Sequence, residues 1–375
     1  MKSSIEIEYK EGSMVATQEN SNAKKEKEKE KEKKSIMKED RLSNLPDEVI
    51  HRILPFVDAK TAVQTSVLSK RWRYLWTSLQ ILNFHDQSFY SPHFFQGFVD
   101  DVLSRRDASI NVYMLKLVCD NKVDYGYSID SIIDYVIPRG IQVLSIFAPR
   151  FIKKLPQLYA CQSLTTLKLA DIAFETRTFD FVFLKNLYLF DCLFEYGVEE
   201  VIDPFRGCAN LRCLFLHGCQ FDGIIKRFKI SAPLLTDLLI SYMRVDQLFG
   251  PDCVIELFTP KLQSFSYHDS FLYDFSTKVN LPFVEKVMIH VGGFDLSDEL
   301  NKATNLSLQL IELFEVMGSA KFVSLSPDII KVLSMFPALL VGRSSPFTKV
   351  QNFQLKKYRP SIPTNVMAFL FGGSS

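Results

Sequence analysis

The residues with the most chemical potential cluster in one stretch: Cys208, Cys213, His217 and Cys219 are soft ligands of the kind that hold zinc. Their spacing argues against a shared ion. Cys213 and His217 fall in an alternating apolar segment, where four extended residues span about 13 Å at roughly 3.3 Å each. Zinc ligands all sit within about 2.3 Å of the metal. The thiols therefore read as small buried hydrophobes, and no metal or cofactor is expected. The chain holds no G-x-S-x-G, H-E-x-x-H, Walker A or G-x-G-x-x-G pattern, and its Gly-Gly pairs at 292–293 and 372–373 lack a phosphate-loop context. No catalytic residue is nominated, and a non-catalytic role is expected.

With chemistry set aside, composition bounds the class. The 375 residues carry 44 basic and 43 acidic side chains, a net charge of +1, so no global field steers the chain toward nucleic acid or an acidic membrane. Seven cysteines without framework spacing favour reduced thiols, and hence the nucleus and/or cytoplasm. The amino terminus has no apolar stretch of the signal-peptide kind, and no run of about 18 apolar residues suggests a membrane span. Residues 1–38 form a charged leader containing KKEKEKEKEKK at 24–34. That run offers nothing to a core and is expected to be disordered. Its alternating glutamates cancel most of the field that nuclear import or RNA contact would use.

Residues 39–80 change texture to three short helical patterns. Pro46 suits the start of the first, followed by Asp47 and Glu48 in the first turn and an apolar stripe of Val49, Ile50, Ile53 and Leu54, with Pro55 as the stop. Asp58 is placed to cap the second, whose Ala59, Ala62, Val63 and Val67 recur at helical spacing. Ser69 is placed to cap the third, where Trp72, Leu75 and Trp76 share a face. A unit of about 40 residues without cysteine cannot bury this much apolar surface alone. Either it binds a partner through large apolar anchors, or its helices pack on the following domain as a cap.

The stretch DRLSNLPDEVIHRILPFVDAKTAVQTSVLSKRWRYLWTSL resembles the F-box of plant F-box/leucine-rich-repeat proteins, from the L-x-x-L-P-D-E-V opening at Leu42 to the S-K-R-W-R-x-L-W close at Trp76. The resemblance implies a Skp1-like partner and, through it, a cullin. It makes Leu45, Pro46, Ile50, Ile53, Leu54, Val67, Leu68 and Trp72 candidates for the Skp1-facing surface or for the module's own core. Sequence leaves open which role each takes.

From about residue 110 the pattern L-x-x-L-x-L recurs, with its central apolar residue at Leu115, Leu144, Leu167, Leu187, Leu214, Leu238, Phe265 and Val287. Successive separations of about 20–29 residues suit leucine-rich repeats, which bury their leucines only by stacking. Weaker copies lie near Ala320 and Val350, and Cys192 and Cys219 occupy the asparagine-or-cysteine position of the repeat. The resemblance extends through this region. The expected fold is α/β: a short three-helix F-box followed by a leucine-rich-repeat solenoid, a curved parallel sheet with a helical or irregular convex side. Residues 81–109 are expected as linker or amino-terminal cap, 110–357 as repeats, and 358–375 as a carboxy-terminal tail. Some relatives carry a further carboxy-terminal domain (FBD), for which no complete copy is expected here.

Alternation turns one set of strand residues outward, mixing Tyr, Phe, Met and His rather than the Arg and Lys that phosphate binding would want. The outward set includes Lys168, Tyr188, Phe190, Phe215, His217, His268, Met288 and His290. All but His290 are nominated for target binding. The functional expectation is a substrate-recognition adaptor of an SCF-type ubiquitin ligase: a Skp1-like protein and cullin on one side, an unknown target protein on the other, with neither membrane nor nucleic acid. The alternatives are a repeat protein that binds or inhibits outside ubiquitin chemistry, and an RNA-associated protein using the leader.

Overall fold

The computed structural model describes residues 45–119, 126–148, 155–174, 178–245, 253–276, 281–292, 300–356 and 361–372. The charged leader and Leu42 lie outside the described residues. Period-two apolar patterning builds the main element, an eleven-stranded all-parallel sheet. Its strands follow chain order: β1 (Ile81–His85), β2 (Met114–Val118), β3 (Val143–Phe147), β4 (Thr166–Ala170), β5 (Asn186–Phe190) and β6 (Cys213–His217). β7 (Asp237–Ser241), β8 (Ser264–Asp269), β9 (Lys286–Val291), β10 (Phe322–Leu325) and β11 (Asn352–Leu355) complete it. All eight central apolar residues of the repeats fall on the second position of β2–β9, and adjacent strands pair there without a slip, as in Leu187 with Leu214 and Leu214 with Leu238. The two weaker copies supply β10 and β11, where Val323 pairs with Phe353. Register is fixed because a one-residue slip would turn every leucine into solvent.

The first strand, β1, lies within the span expected to be linker or cap. Leu79, Leu82 and Phe84 are its buried L-x-x-L-x-L residues, and Leu82 pairs with Leu115. The solenoid thus opens at residue 81. At the other end, within the span expected as a tail, helix Thr364–Phe371 buries Val366, Phe369 and Leu370 against the last repeats.

The return segments vary with the length of chain available. Helices Pro92–Arg105 and Leu300–Val316 occupy the longer connections between β1 and β2 and between β9 and β10, and helix Pro327–Met335 follows β10. In the middle repeats the connections are short and rich in alternating aromatics (LFEYGV, QFDGI, RFKIS), and they form two four-stranded parallel sheets in place of helices. Phe174, Phe194 and Phe221 pair in register along one of these sheets, with stacked rings 4.7 and 4.6 Å apart. Together with Phe179, Phe205 and Phe228 they fill the space between the three sheets. Six of the 32 phenylalanines are used in this filling, each ring burying more area than leucine.

The turn leaving each central strand is left-handed. Asp171, Asp191, Gly218 and Tyr242 have φ of 57°, 51°, 64° and 51°. At Gly218 a Cβ would stand 2.0 Å from Asp191 Oδ1, so a larger residue there would have to displace that carboxylate. Cys192 and Cys219 follow these turns and point their thiols at the Leu169 and Leu189 carbonyls, 3.6 Å away in each case.

Candidate functional site: an exposed helical face and a concave sheet

The amino-terminal module contains helix α1 (Asp47–Ile53), a 3₁₀ turn Leu54–Phe56, helix α2 (Ala59–Gln64) and a 3₁₀ helix Trp72–Ser78. Asp58 caps α2 as its position implies, accepting from the Thr61 N–H at 2.8 Å. The third helix differs from expectation. It is 3₁₀, and Ser69 supplies its backbone carbonyl to Trp72 N–H rather than a side-chain cap. Pro46 precedes α1 in an extended conformation, so the helix begins at Asp47.

Burial separates the two roles left open by sequence. Ile50, Leu54 and Trp72 join Ala62 and Leu79 in a small separate core, with Leu45 half-buried beside it. Pro46, Ile53, Val67 and Leu68 are exposed. Two of them exceed half exposure, Val67 at 85% and Leu68 at 52%, and Phe56 reaches 87%. Phe56 was not among the sequence candidates, although its place directly after Pro55, where the helix must end, signals a residue pushed off the helical face. The opposite side of the module is covered. Ala59 belongs to the solenoid's core, and Val63 and Trp76 pack against it. Buried Arg106 ties the junction by donating to the Leu79 carbonyl and to Tyr135 Oη. An open groove of about 700 Å³ runs along the junction between Phe56, Ile81 and Tyr113.

On the solenoid the sequence-predicted residues all lie half-buried on the concave face of the sheet. Lys168, Tyr188 and Phe215 occupy the third position of three adjacent strands, and Phe190 and His217 the fifth position of two. They touch: Lys168 Nζ stands 5.0 Å over the Tyr188 ring, and Phe215 lies 6.0 Å from Tyr188 and 5.2 Å from Phe190. Exposed Tyr242, which the alternation does not nominate because it sits in the turn after β7, extends this patch, edge-on to His217 at 5.5 Å. Met288 and His268 stand apart on β9 and β8, beyond Leu239 and Ser241. His268 pairs instead with His290, whose Nδ1 lies 2.6 Å from His268 Nε2 and whose Nε2 lies 3.0 Å from Ser324 Oγ.

Burial keeps the Tyr188 phenol and the neighbouring thiols protonated at neutral pH. Burial, then a hydrogen bond with Cys213, pushes the Tyr188 phenol up to about 12. Burial pushes the Cys208 thiol up to about 12 as well, and raises Cys213. Such thiols are neither nucleophiles nor ready ligands. Among the described residues no three His, Cys, Asp or Glu converge on a possible metal, and no helix is long and apolar enough to cross a membrane.

A small helical module with one apolar face open, fused to the edge of a parallel-sheet solenoid, is the arrangement that the resemblance to F-box/leucine-rich-repeat proteins implies. The comparisons agree. The F-box domain family model matches residues 42–84. A putative FBD-associated F-box protein of Arabidopsis thaliana is 32% identical over 272 residues, covering 68% of this chain and 60% of that protein. An F-box/FBD/LRR-repeat protein of the same plant is 31% identical over 243 residues, covering 61% of this chain and 55% of its own length. An F-box/LRR-repeat protein, also from Arabidopsis thaliana, is 29% identical over 339 residues, covering 81% of this chain and 99% of the relative. The chain thus carries an F-box and is similar over most of its length to F-box/LRR and FBD-associated F-box proteins, while spanning less than two thirds of the first two relatives.

Proposed function

We propose that this chain is the substrate-recognition adaptor of an SCF-type ubiquitin ligase, performing no chemistry itself. The exposed face of the module (Pro46, Ile53, Phe56, Val67, Leu68) docks a Skp1-like protein and through it a cullin. The concave sheet holds a target protein. Tethering both raises the target's effective concentration near the ubiquitin-loaded enzyme to the millimolar range typical of short linkages. The observation that carries the reading is the two-sided module. One side caps β1 while the other leaves Phe56 and Val67 more than four-fifths exposed. Exposed anchors of this size on a module with five buried core residues suit a permanent partner.

Co-expression with a Skp1-like protein is the test. A stable one-to-one complex that is lost on Ile53→Asp, with circular dichroism unchanged, supports the reading. A second reading has its own observation, the packing of α2 into the solenoid core, which suits a plain end cap on a repeat protein outside ubiquitin chemistry. That reading expects a soluble monomer indifferent to the Skp1-like protein.

A further inference from the structure

The concave face carries almost no negative charge, although the chain as a whole is balanced. Neither the third nor the fifth positions of the eleven strands, counting Ser326 and Lys356 as the fifth of β10 and β11, include an Asp or Glu. Lys356 belongs to that row because its N–H continues the ladder to the Leu325 carbonyl. Lys116 and Lys168 lie in the third row toward the amino-terminal end. Four of the six histidines, His85, His217, His268 and His290, lie in the fifth row.

We infer that the cluster of His268, His290, Ser324 and Lys356 is a subsite for a carboxylate of an acidic segment of the target, bound together with a proton. This rests on the adaptor reading, which it deepens by naming the partner's chemistry. In the free chain the two imidazoles share one hydrogen across 2.6 Å, and the far nitrogen of His290 is held by Ser324. A carboxylate seated between the rings would accept an N–H from each, from one ring as a neutral tautomer and from the other as an imidazolium that the negative charge favours, so one proton is taken up. Lys356 adds a fixed positive charge from β11.

Among the described residues no carboxylate takes this role. Ser241 on β7 is committed to His217 at 2.8 Å. Asp269, next to His268, turns to the buried side, bonds Ser270 N–H and has its carboxyl pushed up by burial. On β10, Ser326 Oγ donates to the Val291 carbonyl. Asp328 lies behind Gly292, where an added Cβ would meet it at 2.7 Å, and Lys286 is four residues back along β9. Burial lowers both imidazoles in the empty site, with the His268 and Lys356 charges adding to the effect on His290. Both rings are therefore neutral before an anion arrives, and occupancy takes up a proton.

The probe is a fluorescein-labelled hexaglutamate peptide, read by anisotropy with the full chain at low ionic strength. Binding should tighten at least about tenfold between pH 7.5 and 5.5, and at most about a hundredfold, the limit for uptake of one proton over two pH units. The double variant His268→Gln/His290→Gln should lose that pH dependence, and Lys356→Ala should weaken binding at both pH values. Lys226→Ala, in the exposed bend before the return strand Arg227–Ser231, should change nothing. Hexaglutamate binding that is independent of pH, or equal in the double variant, overturns the inference. Retention of a Skp1-like protein, measured on the same samples, reports on the adaptor reading separately.

Discussion

The F-box module and the middle of the solenoid are built from the same large apolar side chains, and they treat them oppositely. Between β4 and β8 nearly every Leu and Phe at an inward position is buried, because each repeat covers its neighbour's apolar face. The module buries five residues and leaves Phe56, Val67, Leu68 and Tyr74 more than half exposed. It also leaves the Trp72 indole N–H buried without an acceptor, which costs about 1–3 kcal/mol. A repeat array completes its own core; a 40-residue helical unit borrows one side from the solenoid and leaves the other open.

The largest expected effects test the buried halves of that contrast. Trp72→Ala should destabilise the module by about 3–5 kcal/mol and Leu214→Ala the solenoid by about 2–5 kcal/mol. Chemical denaturation followed by tryptophan fluorescence reads the first, because both tryptophans, Trp72 and Trp76, lie in the module; far-UV circular dichroism reads the second. Loss of Skp1-type binding in Trp72→Ala would therefore report unfolding, because that side chain is buried in the module's own core. A single transition shared by both signals would show module and solenoid to unfold as one body.

Next in size is the open face. Ile53→Asp and Phe56→Asp should each weaken a Skp1-like partner by about 2–4 kcal/mol, some 30- to 1000-fold, with both unfolding transitions unmoved. Calorimetric titration of each variant measures this. Unchanged affinity in both would leave the face without its assigned role.

The solenoid was the more legible region. Its period and alternation specify register directly, since a slip of one residue exposes a whole leucine row. The β1 strand escaped the count because Phe84 stands where a leucine is usual and because its residues also end the F-box pattern. The convex strands escaped because a short aromatic run between repeats reads equally as loop. In the module, Val49, Ile50, Ile53 and Leu54 form one stripe by spacing. Only tertiary packing divides it into buried Ile50 and Leu54 and exposed Val49 and Ile53.

A smaller effect distinguishes the polar end of the concave face. His268 and His290 both titrate below their ordinary value, His290 at about 4, because burial disfavours their charged forms. The unfolded chain then binds more protons than the folded one between about pH 6.5 and 4, so stability is fully present above pH 6.5 and is lost as pH falls through that window. Since both rings are half in water the loss should be modest, with Tm about 2–4 °C lower at pH 5 than at pH 7.5 for each ~1 kcal/mol. Scanning calorimetry of the His268→Gln/His290→Gln variant should show a smaller pH difference; an equal one would place the titrating groups elsewhere.

The smallest expected change in stability is at the aromatic patch. Phe215 is half-buried, and its ring meets Tyr188 at 6.0 Å and Phe190 at 5.2 Å. Such contacts contribute about 0.5–1.5 kcal/mol each at most when they also exclude water. Leu214, one residue earlier, is fully buried between Leu187 and Leu238. Phe215→Ala should therefore lower Tm only slightly while sharply reducing capture of the target, and Skp1-type binding, more than a hundred residues away in sequence, should not change. Paired melts of Phe215→Ala and Leu214→Ala, with target retention measured on the same preparations, check this. Equal destabilisation by the two would mean that the aromatic ring supports the sheet rather than the target. The patch would then be a lid over the strands, and the binding surface would have to be sought toward His268 and His290.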